Sequence, residues 1–197
     1  MNINWQFREL NLKIVYYGPA LSGKTTNLEQ IHARINPQHR SELVSLKTHE
    51  DRTLFFDFMQ LELGKISGLQ PKIHLYTVPG QSYYEASRRL VLRGADGVVF
   101  VADSAPDRIT ANLHAWQELE AHLRSFDFVL SETPIILQCN KQDKPEAMSV
   151  QQLKDFLHAS HLPAFPAVAA QGDGVFDTLK AITSGVLSKL QSQFIPA

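Results

Sequence analysis

Residues 18–25 read Gly18-Pro19-Ala20-Leu21-Ser22-Gly23-Lys24-Thr25, the complete pattern G-x-x-x-x-G-K-[ST]. Gly18 and Gly23 permit backbone angles that turn peptide N–H groups toward a common point. A helix starting there adds partial positive charge. The chemistry implied is capture of a phosphate chain. The backbone around Ala20, Leu21, Ser22 and Thr26 lines the cradle, Lys24 sets an ammonium against the outer phosphates, and the Thr25 hydroxyl ligates Mg²⁺.

A second constellation, Asn140-Lys141-Gln142-Asp143, stands about 115 residues downstream. An acidic side chain such as Asp143 can accept both N–H groups on the N1 and 2-amino edge of guanine. Adenine lacks that donor pair and would leave a buried carboxylate unpaired. Asn140 is expected to brace neighbouring loops, and the Lys141 stem to cover one face of the base. After the next strand, an N–H from Ala169 or Ala170 would reach the guanine O6. Polar tetrapeptides often cap strands, so the argument rests on position: this one follows a buried strand and a phosphate loop.

The elements that must carry these residues follow from hydrophobic periodicity. Strands are predicted at 12–17, 54–63, 71–78, 98–102, 134–139 and 164–168, with Gly64 to Gly68 as a hairpin-like turn. Helices are predicted over 24–35, from Ile109 to Phe126, around Leu153 to Leu157, and from Val175 to Leu190. The run Val98-Val99-Phe100-Val101-Ala102 is apolar throughout, as in a strand buried on both faces. Alternating strands and helices predict an α/β fold: a mostly parallel central sheet with one antiparallel edge strand and helices on both faces. The polar segment from about Asn36 to Thr53 reads as a long functional loop. The whole chain, 1–197, is read as one domain.

These motifs, in this order, resemble the Ras-like small GTPase superfamily, and more closely the MglA family of bacterial polarity GTPases. The likeness covers about residues 5–190. It includes Phe7-Arg8-Glu9, Lys13 to Pro19, Leu21 to Leu28, Asp51 to Phe58, His74 to Gln81, Leu92 to Gly97 and Ala102 to Pro106. The resemblance implies a P-loop GTPase fold and a Mg²⁺-dependent switch cycling between GTP and GDP. It implies that Thr53 is the switch I threonine sensing Mg²⁺ and the γ-phosphate, and that Arg52 is an in-chain catalytic arginine. Gln81, after Gly80 in switch II, is then the glutamine that orients the attacking water. Further implications are a Roadblock-type activating partner resembling MglB, effectors in cell polarity and in gliding or twitching motility, and slow turnover without the activator.

Two departures stand out. Most Ras-like proteins carry Asp-x-x-Gly in switch II, with the Asp holding a Mg²⁺-bound water; here the stretch is Thr77-Val78-Pro79-Gly80, so the outer Mg²⁺ shell must be built differently. Ala20 stands where the family pattern usually has Gly, beside the γ-phosphate. The alternative function is therefore a nucleotide-bound scaffold with little hydrolysis. A P-loop kinase or ATPase is disfavoured by the guanine-type loop.

Composition narrows the setting. Nineteen basic and 20 acidic residues give a net charge of −1, with no footprint for nucleic acid or anionic membrane. The single cysteine, Cys139, excludes an internal disulfide, suits a reducing cytoplasm and reads as a core thiol. The eight histidines show no metal-ligand spacing. Signal peptide, membrane span, myristoylation and prenylation patterns are not recognised. The expectation is a cytoplasmic protein, monomeric alone, recruited to a cell pole by partners. Trp116 is expected in the core, while Tyr83 and Tyr84 are candidates for partner binding.

Overall fold

Glu9–Tyr17 (β2) alternates its side chains until both faces are needed: Leu12, Ile14 and Tyr16 point to one face, Val15 and Tyr17 to the other, and all five are buried. That pattern is possible only for a strand covered on both sides. The computed structural model describes residues 2–47, 53–66, 68–81, 84–126 and 132–194. β2 is the middle of an eight-stranded sheet built with Asn2–Asn4 (β1), Val44–Lys47 (β3), Thr53–Glu62 (β4), Gln70–Thr77 (β5), Gly97–Asp103 (β6), Ile135–Asn140 (β7) and Ala164–Ala167 (β8). The order is β3-β4-β5-β2-β6-β7-β8. β5, β2, β6, β7 and β8 are parallel, whereas β4 runs antiparallel to both β3 and β5. β1 pairs antiparallel with Glu9–Asn11, on the edge that β6 takes over from Ile14 onward.

Helices Lys24–Arg34 (α1) and Val175–Phe194 (α5) cover one face. Glu85–Leu92 (α2), Ile109–Ser125 (α3) and Val150–Phe156 (α4) cover the other. Leu28 and Ile31 of α1 meet Ile182 and Val186 of α5 in one core; Trp116, Leu119 and Leu123 of α3 fill the second, with Trp116 edge-on to Phe100. β6 and β7 are buried along their full lengths, and Cys139 lies in β7 with its thiol pushed up to about 12 by burial. No helix among the described residues is long and apolar enough to cross a membrane.

The α/β class, the mostly parallel sheet and the two-sided helical cover agree with the sequence reading. Three elements add to it. The stretch read as one long loop contains β3, and a 3₁₀ turn at Pro37–His39, so that β3 adds a second antiparallel pairing beyond β4 at that edge. β3 has only four residues and one register irregularity, too short for periodicity to show. β1 is shorter still, and α2 has just eight residues, with Arg88 as a buried member of its inner face.

Gly97 opens β6 directly beneath α5. A Cβ there would lie 2.6 Å from Val186 Cγ2 and 2.9 Å from Ile182 Cδ1. Gly97→Ala is therefore expected to lower stability by about 1–3 kcal/mol through overpacking. Urea denaturation with an unchanged m-value checks this.

Candidate functional site

β2 runs straight into the phosphate loop, and α1 leaves it. Gly18 (φ 144°) and Gly23 (φ 102°) take backbone angles that favour glycine, and Leu21 shares positive φ at 63°. Gly23 is the N-cap of α1 and supplies no side-chain acceptor. The N–H groups of Leu21, Gly23 and Lys24 have no acceptor among the described residues, and the buried Ser22 hydroxyl has no partner. Orphan donors at a helix N-terminus suit an anion. Lys24 is buried, with its ammonium donating to the carbonyls of Gly18 (3.0 Å) and Pro19 (2.7 Å). Burial pulls its pKa down to about 7; the Arg88 guanidinium pushes the same way and the Asp57 carboxylate opposes. A phosphate would supply the counter-charge this lysine lacks.

The two sequence motifs meet through Asn140, the last residue of β7. Its Nδ2 donates to the Ser22 carbonyl (2.7 Å) and its Oδ1 accepts from Ala169 N–H (2.8 Å). Gly23 makes this passage possible, because a Cβ there would stand 2.2 Å from Asn140 Nδ2. Lys141 takes φ 69°, and its ammonium donates to Asp103 Oδ2 at 2.6 Å. Gln142 holds the loop's far side through Ser104 Oγ (2.7 Å) and the Met148 carbonyl (2.9 Å). A capping box, Ser149 with Gln152, then starts α4. Asp143 is exposed. Of the two N–H candidates in the following loop, Ala169 is committed to Asn140, which leaves Ala170; the Ala170 carbonyl is held by Gln30 (3.2 Å).

The region of the missing switch II aspartate holds a carboxylate from elsewhere. Asp57, in β4, is fully buried. Its Oδ2 accepts from the hydroxyls of Thr25 (2.5 Å) and Thr77 (2.7 Å), and its Oδ1 from Ser45. Thr77 occupies the position of the usual aspartate, so the carboxylate has moved one strand over. Period-two alternation puts Asp57 on the same face as Met59 and Leu61. An acid at a core-facing position of the run Leu54-Phe55-Phe56-Asp57-Phe58-Met59 was the signal available in the sequence. Asp103 is likewise buried, receives Lys141, and was not singled out by its motif.

Thr26 lies in the first turn of α1, and Thr53 is the first residue of β4. Arg52 and Tyr83 fall outside the described residues. Gly80 packs on the phosphate loop so closely that a Cβ would lie 2.3 Å from Ala20 Cα. Next to it, Gln81 Oε1 is buried and has no hydrogen-bond partner among the described residues. Arg88 anchors α2 behind this segment by donating to Glu118 Oε1 at 2.7 Å. No cluster of three or more His, Cys, Asp or Glu with metal-binding geometry occurs among the described residues.

A glycine-cradled helix N-terminus and an Asn-Lys-x-Asp loop, both at the C-terminal ends of parallel strands, define a small GTPase fold. Residues 2–186 match the ADP-ribosylation factor family. Mutual gliding-motility protein MglA of Myxococcus xanthus (strain DK1622) is 49% identical over 189 residues, covering 96% of this chain and 97% of that protein. ADP-ribosylation factor-like protein 2 of Drosophila melanogaster is 28% identical over 155 residues, covering 77% of this chain and 71% of that protein. ADP-ribosylation factor-like protein 6 of Caenorhabditis elegans is 24% identical over 188 residues, covering 93% and 90%. The chain belongs to the ADP-ribosylation factor family of Ras-like small GTPases and is a homologue of MglA. Membership places it among GTP-binding, GTP-hydrolysing proteins.

Asn140 is the clamp between the two halves of this site. Asn140→Ala would strand the Ser22 carbonyl and the Ala169 N–H in a buried setting, at about 1–3 kcal/mol each. Asn140→Asp keeps the acceptor for Ala169 and loses the donor to Ser22. Both variants are expected to melt below wild type, read by calorimetry on nucleotide-free protein, the Asp variant also because it sets a buried carboxylate oxygen against the Ser22 carbonyl.

Proposed function

We propose that this chain is a Mg²⁺-dependent GTP switch, one domain in extent, that hydrolyses GTP slowly alone and faster with an activating partner. The observation that carries the reading is the Asn140 side chain joining the phosphate loop to the guanine-type loop in one site. The resemblance to a gliding-motility protein supports a role in cell polarity and motility, with a Roadblock-type activator resembling MglB, effector proteins, and recruitment to a pole by partners from a cytoplasmic pool.

In this reading the N–H groups of the loop from Ala20 to Thr26 bind the phosphates, and Lys24 neutralises the outer ones. Asp143 reads the N1 and 2-amino edge, Lys141 covers the base, and Ala170 donates to O6. Mg²⁺, held by Thr25 and Thr53, would offset charge on the β- and γ-phosphates. The Thr25 hydroxyl donates its proton to Asp57 while leaving its lone pairs for the ion, so Asp57 orients this ligand. Gln81 aligns water, with its carbonyl oxygen free to accept a water proton. Arg52 stabilises charge on the transferring phosphoryl group.

The Gly80 contact on Ala20 supports switching. A third phosphate beside Ala20 would compete with Gly80 for space, so the two states of switch II differ in whether that contact is made. The same contact favours the second reading, a scaffold with little hydrolysis, because the Ala20 methyl adds bulk where room is short.

Single-turnover hydrolysis of bound GTP, with and without a Roadblock-type partner, tests both. The switch reading expects acceleration by the partner, and Ala20→Gly to be faster still. Wild-type protein that binds GTP yet shows no turnover under either condition supports the scaffold.

Asp57→Asn removes the charge and one acceptor from the Thr25 ligand. The Mg²⁺ concentration needed to retain GTP should rise about 10–100-fold. Release of a fluorescent nucleotide in EDTA should be the same for both proteins, since no metal is then present to lose. A Mg²⁺ titration that superimposes on wild type would remove Asp57 from the site.

A further inference from the structure

Arg108 lies in the 3₁₀ turn Pro106–Arg108, between β6 and α3, outside every motif of the site. Its guanidinium nevertheless reaches the phosphate loop, with Nη2 donating to the Ala20 carbonyl at 2.9 Å. Its Nε lies 3.9 Å from Asp103 Oδ2, the same oxygen that accepts from Lys141 at 2.6 Å. Asp103 is held in turn. Its Oδ1 accepts from Ala105 N–H at 3.1 Å, and Asn112 bonds both its N–H (3.0 Å) and its carbonyl (2.8 Å). The side chain of Arg108 is one-third exposed at 33%, and that of Asp103 is 2% exposed. The arginine is therefore aimed by a buried, fully braced anion and is not a solvated surface charge.

The atom it grips is informative. The Ala20 carbonyl and the Leu21 N–H belong to one planar trans peptide, so the two bonds point in opposite directions. Fixing the carbonyl on Arg108 turns the Leu21 N–H away from Arg108. Leu21 itself sits at φ 63°, a left-handed conformation unfavourable for a non-glycine residue, which requires the surroundings to hold it. Its side chain is 70% exposed and offers little packing to do so. Its N–H has no acceptor among the described residues, beside the unpartnered Ser22 hydroxyl.

We propose that Arg108 is a positioning residue: it grips the Ala20 carbonyl so that the Leu21 N–H faces the phosphate chain as a hydrogen-bond donor. Asp103 lets Arg108 and the base-side Lys141 share one anion, which ties the orientation of this donor to the base loop. The inference deepens the GTPase reading above and rests on it.

The test compares Arg108→Ala and Arg108→Lys with wild type. Single-turnover hydrolysis of bound GTP should fall about tenfold in the alanine variant, less than the ~10²–10³-fold cost of deleting an oxyanion donor outright. GDP affinity should fall by a smaller factor, and Arg108→Lys, which can still donate to the carbonyl, should recover most of the rate. The readout specific to positioning is the Leu21 backbone amide in ¹⁵N spectra. Adding GDP should move it in wild type and in Arg108→Lys, and much less in Arg108→Ala. An Arg108→Ala protein whose Leu21 amide moves as in wild type overturns the inference. So does one that loses nucleotide affinity while hydrolysing bound GTP at the wild-type rate. Wild-type protein that binds no GTP is a different failure, since it removes the GTPase reading itself.

Discussion

One side chain decides whether this molecule has a nucleotide site or two unrelated loops. Asn140 bonds the Ser22 carbonyl with one end and the Ala169 N–H with the other. Both bonds are buried, so neither partner can turn to water if the clamp is absent. The clamp in turn depends on a residue with no side chain, since Gly23 leaves the space that Asn140 Nδ2 fills. Gly23 is usually explained by the backbone conformation of a phosphate loop. Here it has a second reason, which concerns a strand 117 positions further on.

The site is a set of local charges that the protein tolerates because each is held. Lys24 is buried with its charge pushed toward neutrality, and the orphan N–H groups around it have no acceptor among the described residues. Both conditions are costly alone, and one anion would relieve both. Asp57 illustrates the opposite case. Its carboxylate is completely buried but takes hydroxyl protons from Thr25, Thr77 and Ser45, so its desolvation is compensated within the fold. Those three donors come from α1, β5 and β3. The Thr25 hydroxyl is thereby tied to the register of β4, whose Phe58 pairs with Tyr76 beside it.

Movement, where it occurs, is confined by these attachments. Gly80 and Ala20 are in backbone contact, while α2 behind them is anchored by the buried Arg88 on Glu118.

The phosphate loop, the base loop, the alternation of strands and helices and their approximate bounds were all legible in the residues. Each depends on local spacing: a contiguous eight-residue pattern, a tetrapeptide after an apolar run, or a hydrophobic period long enough to repeat. β1 and β3 were not legible because they carry only one and two apolar residues, and α2 because a charged residue, Arg88, stands on its buried face. The sequence alone also showed that switch II lacks its aspartate and that some other group must serve. Which carboxylate lies beside that position is visible only in three dimensions. Asp57 lies 20 positions before Thr77, and only the antiparallel pairing of β4 with β5 brings the two together. The Arg108 bond to the Ala20 carbonyl spans 88 positions and involves a backbone atom with no residue type to read. Local patterns declare which groups can do chemistry; which distant groups hold them in place is set by sheet register and side-chain reach, and those exist only in the folded chain.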